Sequence, residues 1–273
     1  MAFAFGTAQQ FASIEQLRMV SSAFKKQGKP VVLIPLGSDI HAGHRSLLRA
    51  AKRIPGAVTL VVATSSALTP VLQEESIDAF AVLDDATLFP HGLRTQLVVP
   101  DRGMESPATL AKDLTRVLSL CTSLSPTDLI LGEKDYELLI LAQHMIVDLH
   151  LPVKIHAVQT VRLADGLALS LRNANLDETA RERAYVLSAA LAAGVHAGQR
   201  GVRAIKETIA EVLAAENVQP TYVKILQPNL EPLGKDPEAR ILLAADFNGV
   251  HLFDSAPVLL PESAATSTDA SRQ

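Results

Sequence analysis

The chain has 273 residues, 48% of them hydrophobic, and a net charge of −4. That is enough apolar material for one or two cored domains, and the charge gives no reason to expect nucleic acid as a partner. A single cysteine, Cys121, excludes an internal disulfide and fits a reducing, cytoplasmic setting. No basic, apolar leader opens the sequence, and no apolar run approaches the roughly 18 residues of a membrane span, so neither secretion nor membrane insertion is expected.

Short β-branched runs alternate with helical patterns along the first two thirds. VVLIP (31–35), VTLVVAT (58–64), LILG (129–132) and VKIHAV (153–158) have the composition of buried strands. Helical periodicity lies between them, near 43–53, 107–124 and 134–149. Cys121 falls in step with Leu114, Val117 and Leu118, which places it in a core rather than at a reactive site. Strand–helix–strand repetition predicts an α/β fold, a Rossmann-like doubly wound parallel sheet, over 1–175. Such sheets bind ligands beyond the C-terminal ends of their strands. The pattern then changes. A long helix starts after Asp177, a plausible N-cap followed by Glu178, and a second covers about 200–216. Strands follow near 221–227, 240–246 and 250–253. This predicts a smaller α+β domain over 176–261 and a disordered polar tail over 262–273.

Polar residues collect after the strands. His41-Ala42-Gly43-His44 stands where the first strong strand hands over to a helix. Free N–H groups and the helix dipole favour an anion there, and imidazoles at i and i+3 share a face. Gly43, lacking a Cβ, would let a bulky ligand approach the backbone. Two surface histidines at a helix start are the plainer reading; zinc lacks a third ligand nearby. In GEKDYELL (132–139), Gly132 permits a tight turn, Lys134 can neutralise phosphate, and Asp135 can cap the helix or hold a ribose hydroxyl; a solvated charged turn is the alternative. In TVRLADGLALSLRN (160–173), Asp165-Gly166 marks a turn, and Ser170 with Arg172 could close on a polyphosphate, or belong to an ordinary loop.

Taken together, HAGHRSLLRAAKRIPG, FPHGLRT, GEKDY, TVRLADGLALSLRN and ARILLAADFNGVHLFD resemble the pantothenate synthetase family from about residue 31 to 254. These are adenylate-forming ligases of the class I nucleotidyltransferase superfamily, related in fold to the HIGH-type aminoacyl-tRNA synthetases. The resemblance implies ATP with Mg²⁺, a small-molecule acid (pantoate) and amine (β-alanine) as substrates, and a homodimer. It implies catalytic roles for His41, His44, Lys134 and Arg172, with His44 as proton donor. It assigns nucleotide binding to Gly37, Ser38, His41, Gly43, His44, Gly132, Lys134, Asp135, Val161 (through its backbone), Ser170 and Arg172. It implies no protein-held metal.

Departures from the family pattern concentrate in the acid half. The family's Pro-Thr-Met-Gly-Ala-Leu is Pro35-Leu36-Gly37-Ser38-Asp39-Ile40 here, and TSSALTP replaces Phe-Val-Asn-Pro-x-Gln-Phe. The two pantoate-binding Gln positions align with Thr69 and Leu138, and Arg-Pro-x-His-Phe aligns with residues 106–110, SPATL. A stretch of roughly 20 to 25 residues after position 70 has no counterpart. Two functions therefore compete: a pantoate–β-alanine ligase, and a divergent paralogue that binds ATP but serves another acid or acts as a non-catalytic partner.

Overall fold

A computed structural model describes residues 3–262. The chain divides into two compact units between Val161 and Arg162. That division falls ahead of the change of pattern at 175/176, so the loop holding Ser170 and Arg172 belongs to the second unit. All of the expected tail except Glu262 lies outside the described residues.

In chain order the first unit comprises β1 (Gln9–Phe11), α1 (Ile14–Lys26), β2 (Val31–Pro35), α2 (Ala42–Lys52), β3 (Val58–Ala63), α3 (Thr69–Glu74), β4 (Ala79–Val82), α4 (Asp85–Leu88), α5 (Pro107–Leu124), β5 (Asp128–Gly132), α6 (Tyr136–Asp148) and β6 (Lys154–Val158). All six strands are parallel, in the order β1-β4-β3-β2-β5-β6. One face packs Leu33, Leu60 and Leu129 against Leu17 of α1, Leu114 and Leu120 of α5 and Met145 of α6. The other packs Val32, Ile34 and Val61 against Leu47 and Leu48 of α2 and Leu72 of α3. Burial on both faces explains why β2 and β3 are unbroken apolar runs. The strand order reverses between β2 and β5, so their C-terminal ends form the switch point where doubly wound sheets bind ligands.

Three details differ from the sequence reading. VKIHAV is not a buried strand: β6 is a sheet edge, with Lys154 and Ala157 exposed. β1 and β4 join the sheet without a strand-length apolar signal of their own. The segment 134–149 begins as a tight 3₁₀ turn over Glu133–Asp135 before α6 starts. Cys121 sits in the core, and burial pushes its thiol up to about 12, which keeps it protonated and inert.

The second unit holds α7 (Glu178–His196), α8 (Val202–Ala215) and the antiparallel strands β7 (Pro220–Leu226), β8 (Glu238–Phe247) and β9 (Val250–Leu259). Asp177 caps α7 by accepting the Ala180 N–H at 2.7 Å. Leu187 and Leu191 of α7 and Ile205 and Ile209 of α8 cover Ile241 and Leu243 of β8. β9 runs past its expected end because an edge strand tolerates Pro257, whose missing N–H costs no ladder bond on the open side. No helix among the described residues is long and apolar enough to cross a membrane.

Candidate active site

β2 ends at Pro35 and α2 begins at Ala42, and the turn between them is closed by its own histidines. His41 occupies the N-cap, and its Nδ1 accepts the Gly43 N–H at 3.1 Å. His44 reaches back, its Nδ1 accepting the His41 N–H at 3.3 Å. Two imidazoles thus play the parts that Ser/Thr and Glu take in an ordinary capping box. Their rings stack, with centroids 4.0 Å apart and planes inclined by 22°. A neutral imidazole has one N–H and one acceptor nitrogen. With both Nδ1 atoms accepting, these hydrogen bonds assign the proton to Nε2 on each ring.

Electrostatics keep the rings neutral. Burial lowers the pKa of both, and His44 falls to about 4. Lys134 lowers His41 further, and His41 in turn lowers His44; Asp135 and Asp39 oppose this. At neutral pH the turn therefore offers two uncharged Nε2–H donors within the field of Lys134.

The glycines do something other than the sequence suggests. A Cβ on Gly43 would lie 2.8 Å from Cε1 and 2.9 Å from Nδ1 of His41. The close approach at Gly43 is made by the His41 ring folding over the helix start, not by a ligand. Gly132, at φ −85° and ψ 141°, is in extended backbone that any residue adopts, and its Cβ would meet only Leu47 Cδ2 at 3.8 Å. The turn after β5 does not depend on glycine flexibility.

Lys134 is largely covered, its side chain 17% exposed, with Nζ 3.2 Å from Oδ1 of Asp135. Asp135 stands at the N-cap of α6, but its carboxylate makes no capping bond and stays 56% exposed. Capping, one of its two expected roles, is thereby excluded. Gly37 and Ser38 are exposed after β2, with the Gly37 carbonyl accepting the Thr64 N–H at 3.2 Å. Val161 is half-buried at the end of the first unit. Thr69 is half-buried at the start of α3, and Leu138 packs its side chain against the α1/α5/α6 side of the core.

Some titratable groups near these turns escape sequence reasoning. Glu137 is buried in the first turn of α6; burial raises its pKa, and its carboxylate accepts the Glu105 N–H at 3.2 Å. Asp113 on α5 is raised by burial and by the charge of Asp135. Both look in the sequence like ordinary helix-surface acids, and only tertiary packing covers them.

In the second unit, Arg162 and Ala168 form a β-bridge closed by a turn in which the Gly166 N–H bonds the Leu163 carbonyl at 2.9 Å. Gly166 has φ +87°, the conformation that Asp165-Gly166 leads one to expect. Ser170 then caps a 3₁₀ turn over Leu171–Asn175, its hydroxyl accepting the Arg172 N–H at 3.2 Å. The guanidinium of Arg172 lies 4.5 Å over the Phe253 ring, and its buried Nη1 meets no hydrogen-bond partner among the described residues.

The pantoate-beta-alanine ligase family model matches residues 71–257. The chain belongs to the pantoate-beta-alanine ligase family. Pantothenate synthetase of Mycobacterium avium is 35% identical over 100% of this chain and 96% of its own. That of Corynebacterium jeikeium is 34% identical over 95% and 93%. The solved pantothenate synthetase of Thermus thermophilus superimposes with a TM-score of 0.78 at 27% identity, covering 91% of this chain and 98% of that one. A Francisella tularensis pantoate-beta-alanine ligase, solved with beta-gamma ATP and beta-alanine, shares the fold at TM-score 0.72 and 22% identity, covering 91% and 97%. The six-stranded parallel sheet with its smaller antiparallel companion is thus the nucleotidyltransferase fold of this family. The family match begins after both the histidine turn and Thr69. The M. avium alignment runs over 300 positions against 273 residues here, so that relative carries residues without a counterpart in this chain.

Proposed function

We propose that the chain is a cytoplasmic, ATP-dependent, AMP-forming ligase that joins a small carboxylic acid to an amine through an acyl adenylate. A carboxylate is a poor electrophile; its attack on the α-phosphorus of ATP releases pyrophosphate and creates a good leaving group. The amine nitrogen then attacks the acyl carbon, AMP departs, and the amine loses a proton. One observation carries the reading: backbone donors occupy Nδ1 of both His41 and His44, which leaves two neutral Nε2–H donors beside Lys134 at the sheet's switch point. Such fixed donors stabilise phosphoryl charge as it redistributes, without reorganising. In this reading Lys134 supplies positive charge, Asp135 holds the ribose, the Val161 backbone meets adenine, and Ser170 and Arg172 contact phosphate.

Mg²⁺ travels with the nucleotide in this proposal. Among the described residues no group of three His, Cys, Asp or Glu could hold an ion unaided. Mg²⁺ commonly keeps several waters and is bound largely through substrate phosphate oxygens, so the ion needs no all-protein cage. The direct test is ATP–pyrophosphate exchange with a panel of small carboxylic acids, pantoate included, followed by amide formation with β-alanine. Exchange with any acid supports the ligase reading; no exchange with any acid, despite ATP binding, overturns it.

A second reading concerns the acid. Leu138 is apolar and half-buried against the core and Thr69 is short, where the family resemblance places two pantoate-binding amides. Pantoate recognition is then lost, and the chain serves a less polar acid or acts as a partner of an authentic synthetase. We also propose a homodimer through the first unit. Val98, outside any helix or strand, is 96% exposed and Leu93 is 37% exposed, apolar surface that a second copy would cover. Sedimentation as a species of about 29 kDa at micromolar concentration would exclude a stable dimer.

A further inference from the structure

Strand β9 grips the loop after Val161 at two points, by opposite means. Successive residues of a strand point to opposite faces, and the neighbours Phe253 and Asp254 each take one arginine of the loop. Asp254, whose side chain is 2% exposed, receives Nη1 and Nη2 of Arg162 on its two oxygens, and Arg162 also bonds the Gly166 carbonyl at 3.1 Å. Those three bonds commit most of the N–H groups of Arg162 and fix the loop's base. Phe253 instead lies beneath the Arg172 cation, with Cζ 4.5 Å from the ring centroid. A cation over a ring is held by the ring's electron-rich face rather than by a carboxylate or carbonyl acceptor, so its N–H groups stay available to an anion. The Arg172 Nη1 correspondingly remains buried without a hydrogen-bond partner among the described residues. Ser170 fixes the adjoining backbone through the Arg172 N–H.

We infer that Phe253 is a positioning residue that holds the guanidinium of Arg172 in place with its donors kept for a polyphosphate anion. This rests on the ligase reading for the identity of the natural anion, but the contact itself can be tested without it. An unpaired buried donor is destabilising, and the ring face offsets part of that effect while the donor waits for an oxygen. An acidic partner at the same place would hold Arg172 equally well but would compete with phosphate.

The test is a double-mutant cycle between Phe253→Leu and Arg172→Ala, with Phe253→Tyr as the conservative variant, read by calorimetric binding of inorganic tripolyphosphate and by ATP–pyrophosphate exchange. Phe253→Leu keeps apolar bulk and should weaken tripolyphosphate binding about tenfold, the upper range of a desolvated cation–π contact. Phe253→Tyr should restore it to within about twofold. In the Arg172→Ala background, Phe253→Leu should have no further effect, because the two act as a unit. Additive losses, or equal losses in the Leu and Tyr variants, would mean that Phe253 serves only the fold and would overturn the inference. So would a wild-type protein that fails to bind tripolyphosphate. If wild type shows no exchange with any acid but the cycle is still non-additive for tripolyphosphate, the ligase reading fails and the role of Phe253 stands.

Discussion

The turns after β2 and β3 leave neighbouring parallel strands at the same end of one sheet, yet they are built on different terms. After β2, His41 and His44 use one nitrogen each to close the backbone, stack on one another and leave the second nitrogen as a donor. After β3, Ser65 uses its hydroxyl to accept the Ala67 N–H at 3.2 Å, Ser66 and Ala67 are not part of the core, and Thr69 opens α3. The first turn fixes its outward chemistry with its own backbone, so it does not depend on what the second carries. The two meet where the Gly37 carbonyl accepts the Thr64 N–H, and they are joined again lower down. Arg45 and Arg49 of α2 bond Glu75 at the end of α3, and Arg45 also bonds Glu74, at 2.8 to 3.1 Å. A frame of this kind can keep its histidine turn while the neighbouring turn changes.

The largest expected effect breaks the first turn. His44→Ala removes a donor, a stacking partner and half of the capping box. Exchange with the preferred acid should fall by about a hundredfold or more, and most of the ATP-induced rise in melting temperature should vanish. Exchange within about twofold of wild type would show that the turn is a helix cap and nothing more.

Pantoate probes the second turn. Each unmatched polar group costs about 1–3 kcal/mol, so the reading in which Thr69 and Leu138 replace two pantoate-binding amides predicts pantothenate formation about two powers of ten or more below an ordinary turnover of roughly 1–10³ s⁻¹. Thr69→Gln combined with Leu138→Gln should raise it about tenfold or more, while Leu138→Gln alone should lower the melting temperature, because that side chain packs on the core. Ordinary turnover by wild type would mean that other residues build the pantoate pocket.

Glu75→Ala cuts the tie between the turns. Its buried carboxylate serves two arginines, which hold its pKa below the usual range, Arg49 foremost. A loss of about 2 kcal/mol in urea unfolding is expected, less than for a wholly buried pair because Arg49 is mostly exposed.

The smallest effect is a pH dependence. The folded pKa of His44 lies near 4, below its unfolded value, so the unfolded chain binds the extra proton first. Its contribution is therefore complete above about pH 6.5 and is lost as pH falls toward 4. His44→Gln should flatten the decline in unfolding free energy between pH 7 and 5.5 by about 1 kcal/mol. Parallel curves for the two proteins would mean that folding leaves the pKa of the ring unshifted.

Much of this is legible in the residues, for local reasons. VVLIP, VTLVVAT and LILG are apolar with little interruption because both sheet faces are covered, and Asp177 announces α7 by ordinary capping. β1 and β4 escape because strands of three and four residues carry too little periodicity to stand out. α1 does carry a usable signal: Ser13 accepts the Gln16 N–H, and Gln16 Oε1 accepts the Ala12 N–H at 2.9 Å, the S-x-x-Q pattern of a helix start.

The sequence by itself determined a doubly wound sheet, a histidine turn beyond its first long strand, and a family, since periodicity and motif order are written in neighbouring residues. Tertiary structure decided what those residues are available to do. It placed the proton of both histidines on Nε2 and gave the space at Gly43 to the His41 ring. It packed the half-buried Leu138 against the core and left Arg172 with an unused donor over Phe253. Hydrogen-bond occupancy and burial depend on which atoms meet after the chain has folded, and no local pattern records that.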